Sequence, residues 1–253
     1  MFRASASKLN TYRRCPFQYK CIYVDKIADQ FRTPRPYLTM GAHVHNALFD
    51  FYDKMAVKER TYKNLENILR RRWRENRAGF QDQEEERKYG IQALQMLRLF
   101  NYKMDVRKNP VLLEDYYDAD IGDDMLLIGR IDRVDEIEEG LHIIDYKTGK
   151  KGNEEEMSTQ LLIYSIIVSR NRRQPVLKAS SLFLKNFEWF TIEPDETDLM
   201  DMVQGIKDQV ELIRSDTTYR PVVGDHCRFC DFVEVCPKKE DVQKLLKEQA
   251  KNN

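Results

Sequence analysis

An α/β fold, with a mixed central sheet flanked by helices, is what this sequence predicts, and three observations carry the expectation. Apolar residues in the first half recur at helical spacing. From Pro110 the pattern changes to β-rich runs separated by turn residues. A helical stretch then leads into two further strand-like runs, as a sheet with a crossing helix requires.

Taken in order, Ser7 is positioned to cap a helix running through about residue 22, with Leu9, Tyr12 and Phe17 among its apolar residues. A second helix is predicted from Gly41 to about Ala56, with Leu48, Phe49, Tyr52 and Met55 apolar. Two more are expected from Thr61 to Arg77 and from Glu84 to Lys108, joined by a charged segment, 78–86, read as a mobile connection. Val111–Ala119, Met125–Ile137 and Leu141–Tyr146 then read as a three-stranded meander, because Gly122-Asp123-Asp124 and Glu138-Glu139-Gly140 are turn signals. A helix follows from about Glu155 to Arg170, then strands at Ala179–Leu184 and Glu188–Ile192 and a helix from Glu196 to Arg214. The tail holds three cysteines and a charged helix. With no repeat and no low-complexity linker, one domain over 1–253 is expected: a mainly helical part (1–109), a core (110–215) and a cysteine-rich closure (216–253).

The 253 residues suffice for a large buried core, and 42% hydrophobic with 33% charged residues is a globular composition. No apolar run reaches the roughly 18 residues a membrane helix needs. Met1-Phe2-Arg3-Ala4-Ser5 has no apolar segment of the signal-peptide kind, so a cytoplasmic, reducing location is expected. Clustered cysteines there bind metal more often than they form disulfides. The formal net charge is zero, yet residues 1–36 carry eight basic against two acidic side chains, interleaved with Tyr12, Phe17, Tyr19, Tyr23 and Phe31. A second basic knot is Arg70-Arg71-Arg72-Trp73-Arg74 with Arg77. Both patterns suit a phosphate backbone with unstacked bases, and both also suit a solvated helix face with its rings turned inward.

The meander carries the chemistry. Asp132 lies mid-strand in Gly129-Arg130-Ile131-Asp132, and the next strand offers Asp145-Tyr146-Lys147. Period-two geometry projects Asp145 and Lys147 onto one face, where Asp132 on the adjacent strand can join them. Two carboxylates on rigid backbone suit a hard divalent cation such as magnesium or manganese, and a lysine there can orient water or offset developing charge. Gln160 and Tyr164, four apart, share one face of the following helix. Upstream, His43 and His45 cannot both face one site from a regular helix, and Glu114 is a further acidic candidate.

The ordered set Gly41-x-x-x-His45, Gly129-x-x-Asp132, Asp145-x-Lys147 and Gln160-x-x-x-Tyr164 resembles the RecB-like branch of the PD-(D/E)XK nucleases. The opening Ser5-x-Ser7-x-x-Asn10-x-Tyr12-x-x-Cys15-Pro16 is similar to that family's N-terminal motif. The resemblance implies a restriction-endonuclease-like core and metal-dependent hydrolysis of DNA. Asp132, Asp145, His45 and the Tyr146 carbonyl would hold magnesium or manganese, Lys147 would be the catalytic lysine, and Gln160 and Tyr164 would align DNA or support the site. His43 does not match the histidine position. An exonuclease on single strands or DNA ends is the expected form, in DNA repair and recombination or in CRISPR spacer acquisition. The other reading is a DNA-binding or assembly subunit with little cleavage of its own. The chain has no Gly-x4-Gly-Lys-Ser/Thr loop, so unwinding would need a helicase partner; an integrase partner is the expectation for spacer acquisition.

Five cysteines remain: Cys15, Cys21, Cys227, Cys230 and Cys236. The C-terminal trio needs a fourth thiolate from far upstream, for which Cys15 is the better candidate, and four thiolates suit zinc or a four-iron cluster equally. The spacing resembles the iron–sulfur staple of AddB and of the CRISPR-associated RecB-like nucleases. That likeness implies a [4Fe–4S] cluster on Cys15, Cys227, Cys230 and Cys236, with Cys21 a spare buried thiol.

Overall fold

The computed structural model describes residues 1–251, which form two compact units, each built from stretches distant in sequence. Met1 and Pro34–Val203 make the first; Phe2–Thr33 and the chain from Gln204 onward make the second.

The second unit begins with β1 (Phe2–Ala4), α1 (Ala6–Arg14), α2 (Pro16–Tyr19) and α3 (Ala28–Phe31). The single helix expected from Ser7 to residue 22 is therefore broken, and its cap is Ser5, whose side chain accepts the Lys8 N–H. Pro16 is the cause. Its ring disfavours helical backbone at the preceding residue, and Cys15 is extended at φ −160°, ψ 105°. The chain restarts with Pro16 in the first turn of α2 and passes into a π-helical turn at Lys20–Val24.

In the first unit α4 (Pro36–Lys54) starts earlier than expected, because Pro36 is preset for a first helical turn. Thr61 caps α5 (Tyr62–Glu75), and Asp82 caps α6 (Gln83–Lys103), whose first turn carries Glu84, Glu85 and Glu86. The segment between α5 and α6 is tied down. Phe80 stacks on Trp73 at 5.6 Å, Arg77 pairs with Glu86, and the Ala78 carbonyl accepts from Thr39. The basic knot is largely neutralised as well: Arg71 and Arg72 reach the fully buried Asp50, and Arg70 pairs with Glu66.

The meander is β2 (Leu112–Gly122), β3 (Met125–Ile137) and β4 (Gly140–Lys147), all antiparallel. Asp123 and Asp124 both have positive φ, which gives the two-residue β2–β3 loop the twist that hairpins favour. The Asn153 side chain caps α7 (Glu154–Arg172) by accepting the Glu155 and Glu156 N–H groups. α7 then crosses to β5 (Val176–Phe183), parallel to β4, and β6 (Glu188–Ile192) returns antiparallel. Within this unit the strand order is β2-β3-β4-β5-β6, a mixed sheet.

Helices α4, α5 and α6 pack together and bury Phe51, Leu65, Leu97 and Phe100 with Ile144 and Tyr146 of β4. Because side chains alternate along a strand, Ile143, Asp145 and Lys147 fall on the other face of β4. α7 packs closely on the sheet: a Cβ at Gly129 would lie 3.0 Å from the Tyr164 ring. Among the described residues no helix is long and apolar enough to cross a membrane.

The second unit resumes within α8 (Glu196–Ser215) and ends in α9 (Lys239–Lys251). Tyr12 donates to Asp216 at 2.8 Å, and Gln209 donates to the Leu9 carbonyl at 2.8 Å. Burial alone would raise the Asp216 carboxyl, but the N–H groups of Tyr219 and Thr218 and the Tyr12 hydroxyl hold it down at about 2. A depressed carboxyl stabilises the fold above its unfolded value near 4, and this contribution fades as pH falls toward the folded value. Asp216→Ala should therefore be less stable than the parent at pH 7, with the gap narrowing below about pH 4. Urea unfolding at several pH values measures this; a pH-independent gap would show that the ionised carboxylate is not responsible.

Candidate metal centre and thiol cluster

Pairing between β3 and β4 runs from Ile137↔Gly140 to Arg133↔Ile144. At that end of the ladder the Tyr146 N–H donates to Asp132 Oδ2 at 2.7 Å. A buried amide needs an acceptor, and here a carboxylate supplies it, fixing Asp132 on β3 against β4. The neighbouring Arg133 is fully buried, paired with Asp135 at 2.6 Å and set over the Tyr52 ring at 4.4 Å. This ion pair anchors β3 immediately beside Asp132.

His45 on α4 brings its Nδ1 to 3.1 Å from Asp132 Oδ1 and 3.8 Å from Glu114 Oε1. Donor atoms of His45, Glu114 and Asp132 all lie within 4.8 Å of one another. Glu114 reaches this group through an unusual backbone, φ 32°, a strained region for a residue with a side chain. Its position between the Leu113↔Arg133 and Asp115↔Ile131 pairs sets it across from Asp132. Burial would lower the His45 pKa, but the carboxylates of Asp132, Asp145 and Glu114 outweigh it and raise it to about 9. The pocket thus favours positive charge. One imidazole and two carboxylates converging at such distances fit a divalent cation.

Beside this group, Lys147 Nζ lies 2.6 Å from Asp145 Oδ2. Asp145 is 5% exposed, and burial pushes its carboxyl above the usual range, with Asp132 adding to the rise and Lys147 opposing it. Lys147 also donates to Gln160 Oε1 at 2.7 Å, and Gln160 Nε2 donates to the Tyr164 hydroxyl at 2.9 Å. The chain of contacts from β4 into α7 holds the ammonium in place. The lack of a side chain at Gly41 lets α4 approach Thr148, the residue after Lys147, since a Cβ there would lie 3.1 Å from the Thr148 hydroxyl.

His45, Asp132, Asp145, Lys147, Gln160 and Tyr164 therefore meet in one region. His43 faces elsewhere, with its Nε2 2.7 Å from the Asn76 carbonyl and its ring against Trp73. Tyr146 contributes its peptide, while its side chain is buried against Phe100. Glu114, in the sequence only a further acidic candidate, joins this group. Its signal was a carboxylate on β2 opposite Asp132, legible only once the strand register was known.

In the second unit, Cys15, Cys21 and Cys227 are buried, and Cys230 and Cys236 are partly so; all five are free. Burial pushes the Cys230 thiol up to about 11, and Cys15, Cys227 and Cys236 add to the rise; Cys15 and Cys236 also raise the Cys21 thiol. Backbone N–H groups point at two of them: Val222 at Cys15 Sγ, 3.5 Å, and Lys238 at Cys236 Sγ, 3.4 Å. The extended backbone at Cys15 takes it out of α1. Four thiols suit a soft metal or an iron–sulfur cluster. Cys21 sits in the π-helical turn and is raised to about 11, chiefly by burial.

A family model described as the PD-(D/E)XK nuclease superfamily matches residues 3–237. Among solved structures, a protein from Eubacterium rectale described as a "Putative exonuclease" is similar, with a TM-score of 0.54 and 15% identity over 89% of this chain and 86% of that one. A second, SSO0001, has a TM-score of 0.34 and 19% identity over 50% of this chain and 59% of that one. No curated protein matches the chain in sequence.

Proposed function

The chain belongs to the PD-(D/E)XK nuclease superfamily, whose members use divalent metals, and from that premise we propose that it is a magnesium- or manganese-dependent deoxyribonuclease of the RecB-like branch. The observation that carries this reading is the convergence of His45, Glu114 and Asp132 beside the Asp145–Lys147 pair. His45, Asp132, Asp145 and the Tyr146 carbonyl hold the cation, with Glu114 an additional ligand. The bound cation supplies Lewis acidity toward a phosphoryl oxygen. Lys147 orients the attacking water and offsets charge that develops on the phosphoryl group. Gln160 fixes Lys147 and is itself fixed by Tyr164, so the ammonium is preorganised before substrate arrives.

The favoured substrate is single-stranded DNA or a DNA end, trimmed as an exonuclease; the description of the Eubacterium rectale neighbour supports that form. Cys15, Cys227, Cys230 and Cys236 hold a [4Fe–4S] cluster with a structural role, since it closes a very long loop of chain. The setting is cytoplasmic, in DNA repair and recombination or in CRISPR spacer acquisition, with a helicase or an integrase as partner.

The test is cleavage of end-labelled single- and double-stranded DNA by anaerobically purified protein with magnesium, manganese or chelator. Short products that shorten progressively, and only with metal, are expected. No cleavage by folded protein carrying its cluster would overturn the reading in favour of a binding subunit.

A further inference from the structure

Beyond the residues that hold the cation and Lys147, the side of β2 and β3 next to Glu114 carries an exposed cation and an exposed ring. Tyr116 and Arg130 are direct cross-strand partners. The Arg130 guanidinium pairs with Glu114 and lies 5.8 Å from the Tyr116 ring centre. Its side chain is 48% exposed, while Tyr116 is 75% exposed. Leaving so large a ring in water gains little for the fold, and a surface cation–ring contact contributes only about 0.5–1 kcal/mol. A ring face beside a guanidinium is the combination that binds a base and its phosphate without regard to sequence.

We infer that Tyr116 and Arg130 seat the nucleotide next to the scissile bond, the ring stacking on its base and the guanidinium contacting a phosphate of an unpaired strand. This rests on the nuclease reading and deepens it, assigning two residues to the preference for an unpaired strand. Arg130 is tied to the metal-binding group through Glu114, so the seat is adjacent to the reacting centre. Inside a duplex paired bases are stacked on each other, so the Tyr116 ring is open to an unpaired base or to the free face of a terminal pair. Asp118, two residues further along β2 and exposed, would repel a phosphate placed against it.

The test uses the full chain carrying Lys147→Ala, in calcium, with fluorescein-labelled oligothymidylate and an abasic strand of equal length as probes. Tyr116→Thr keeps a strand-favouring residue but removes the ring. It should weaken oligothymidylate binding roughly 5- to 100-fold and leave abasic-strand binding unchanged, while Tyr116→Trp should restore the loss. Arg130→Gln should weaken both probes and reduce the salt dependence of binding by about one phosphate contact. Equal binding of oligothymidylate by the parent and Tyr116→Thr would overturn the inference and leave the nuclease reading standing. A parent that binds neither probe, with a wild-type chain that cleaves nothing, would remove both.

Discussion

Lys147→Ala is expected to lower metal-dependent cleavage by about 10²–10³-fold, the size of effect seen when one preorganised donor is removed from a developing charge. The ammonium touches both Asp145 and Gln160, so its loss removes the positive end of the chain that α7 supports. Removing one partner of a buried ion pair can cost about 3–5 kcal/mol if the other stays charged. Asp145 has an escape, because burial already pushes its carboxyl upward and it can take up a proton. The variant should therefore fold, and thermal unfolding checks this beside the cleavage assay. Asp145→Asn provides the companion measurement: it should be equally inactive while demanding more metal for any residual rate. Full activity in either folded variant would remove the assignment of Asp145 and Lys147 to the reacting centre.

Cys230→Ser is expected to lose iron and stability together. Its thiol stands among those of Cys15, Cys227 and Cys236, which come from opposite ends of the chain. A link closing so long a loop stabilises by about 2–5 kcal/mol through the unfolded state, or about 5–20 °C in Tm for a domain of this size. Iron content, visible absorbance and thermal unfolding should change in step. Cys21→Ser is the control: on the proposed assignment, which leaves Cys21 outside the ligand set, it should retain iron. Wild-type protein that is colourless, folded and loaded with zinc would overturn the iron–sulfur assignment while leaving a thiolate staple in place.

Much of this was legible from local pattern. Two-residue periodicity set Asp145 and Lys147 on one face of β4, and four-residue spacing set Gln160 beside Tyr164 on α7. Turn residues delimited the meander to within a few positions. Such features depend on neighbours in sequence, so the sequence determines them directly. The break at Cys15 was local too, and the restriction that Pro16 imposes on its predecessor was the signal that marked it.

Other features are pairings between distant residues. The basic knot looks like a phosphate-binding surface in one dimension, yet buried Asp50, on another helix, takes up Arg71 and Arg72. His43 and His45 are equivalent until α5 and the residue that follows it supply Trp73 and Asn76 for one, and β3 supplies Asp132 for the other. Glu114 joins the site because its backbone leaves the strand conformation and because register sets it opposite Asp132. Periodicity in the sequence determined which faces and elements exist; packing and register decided which charges meet, because the energy of a charge depends on its partner in space.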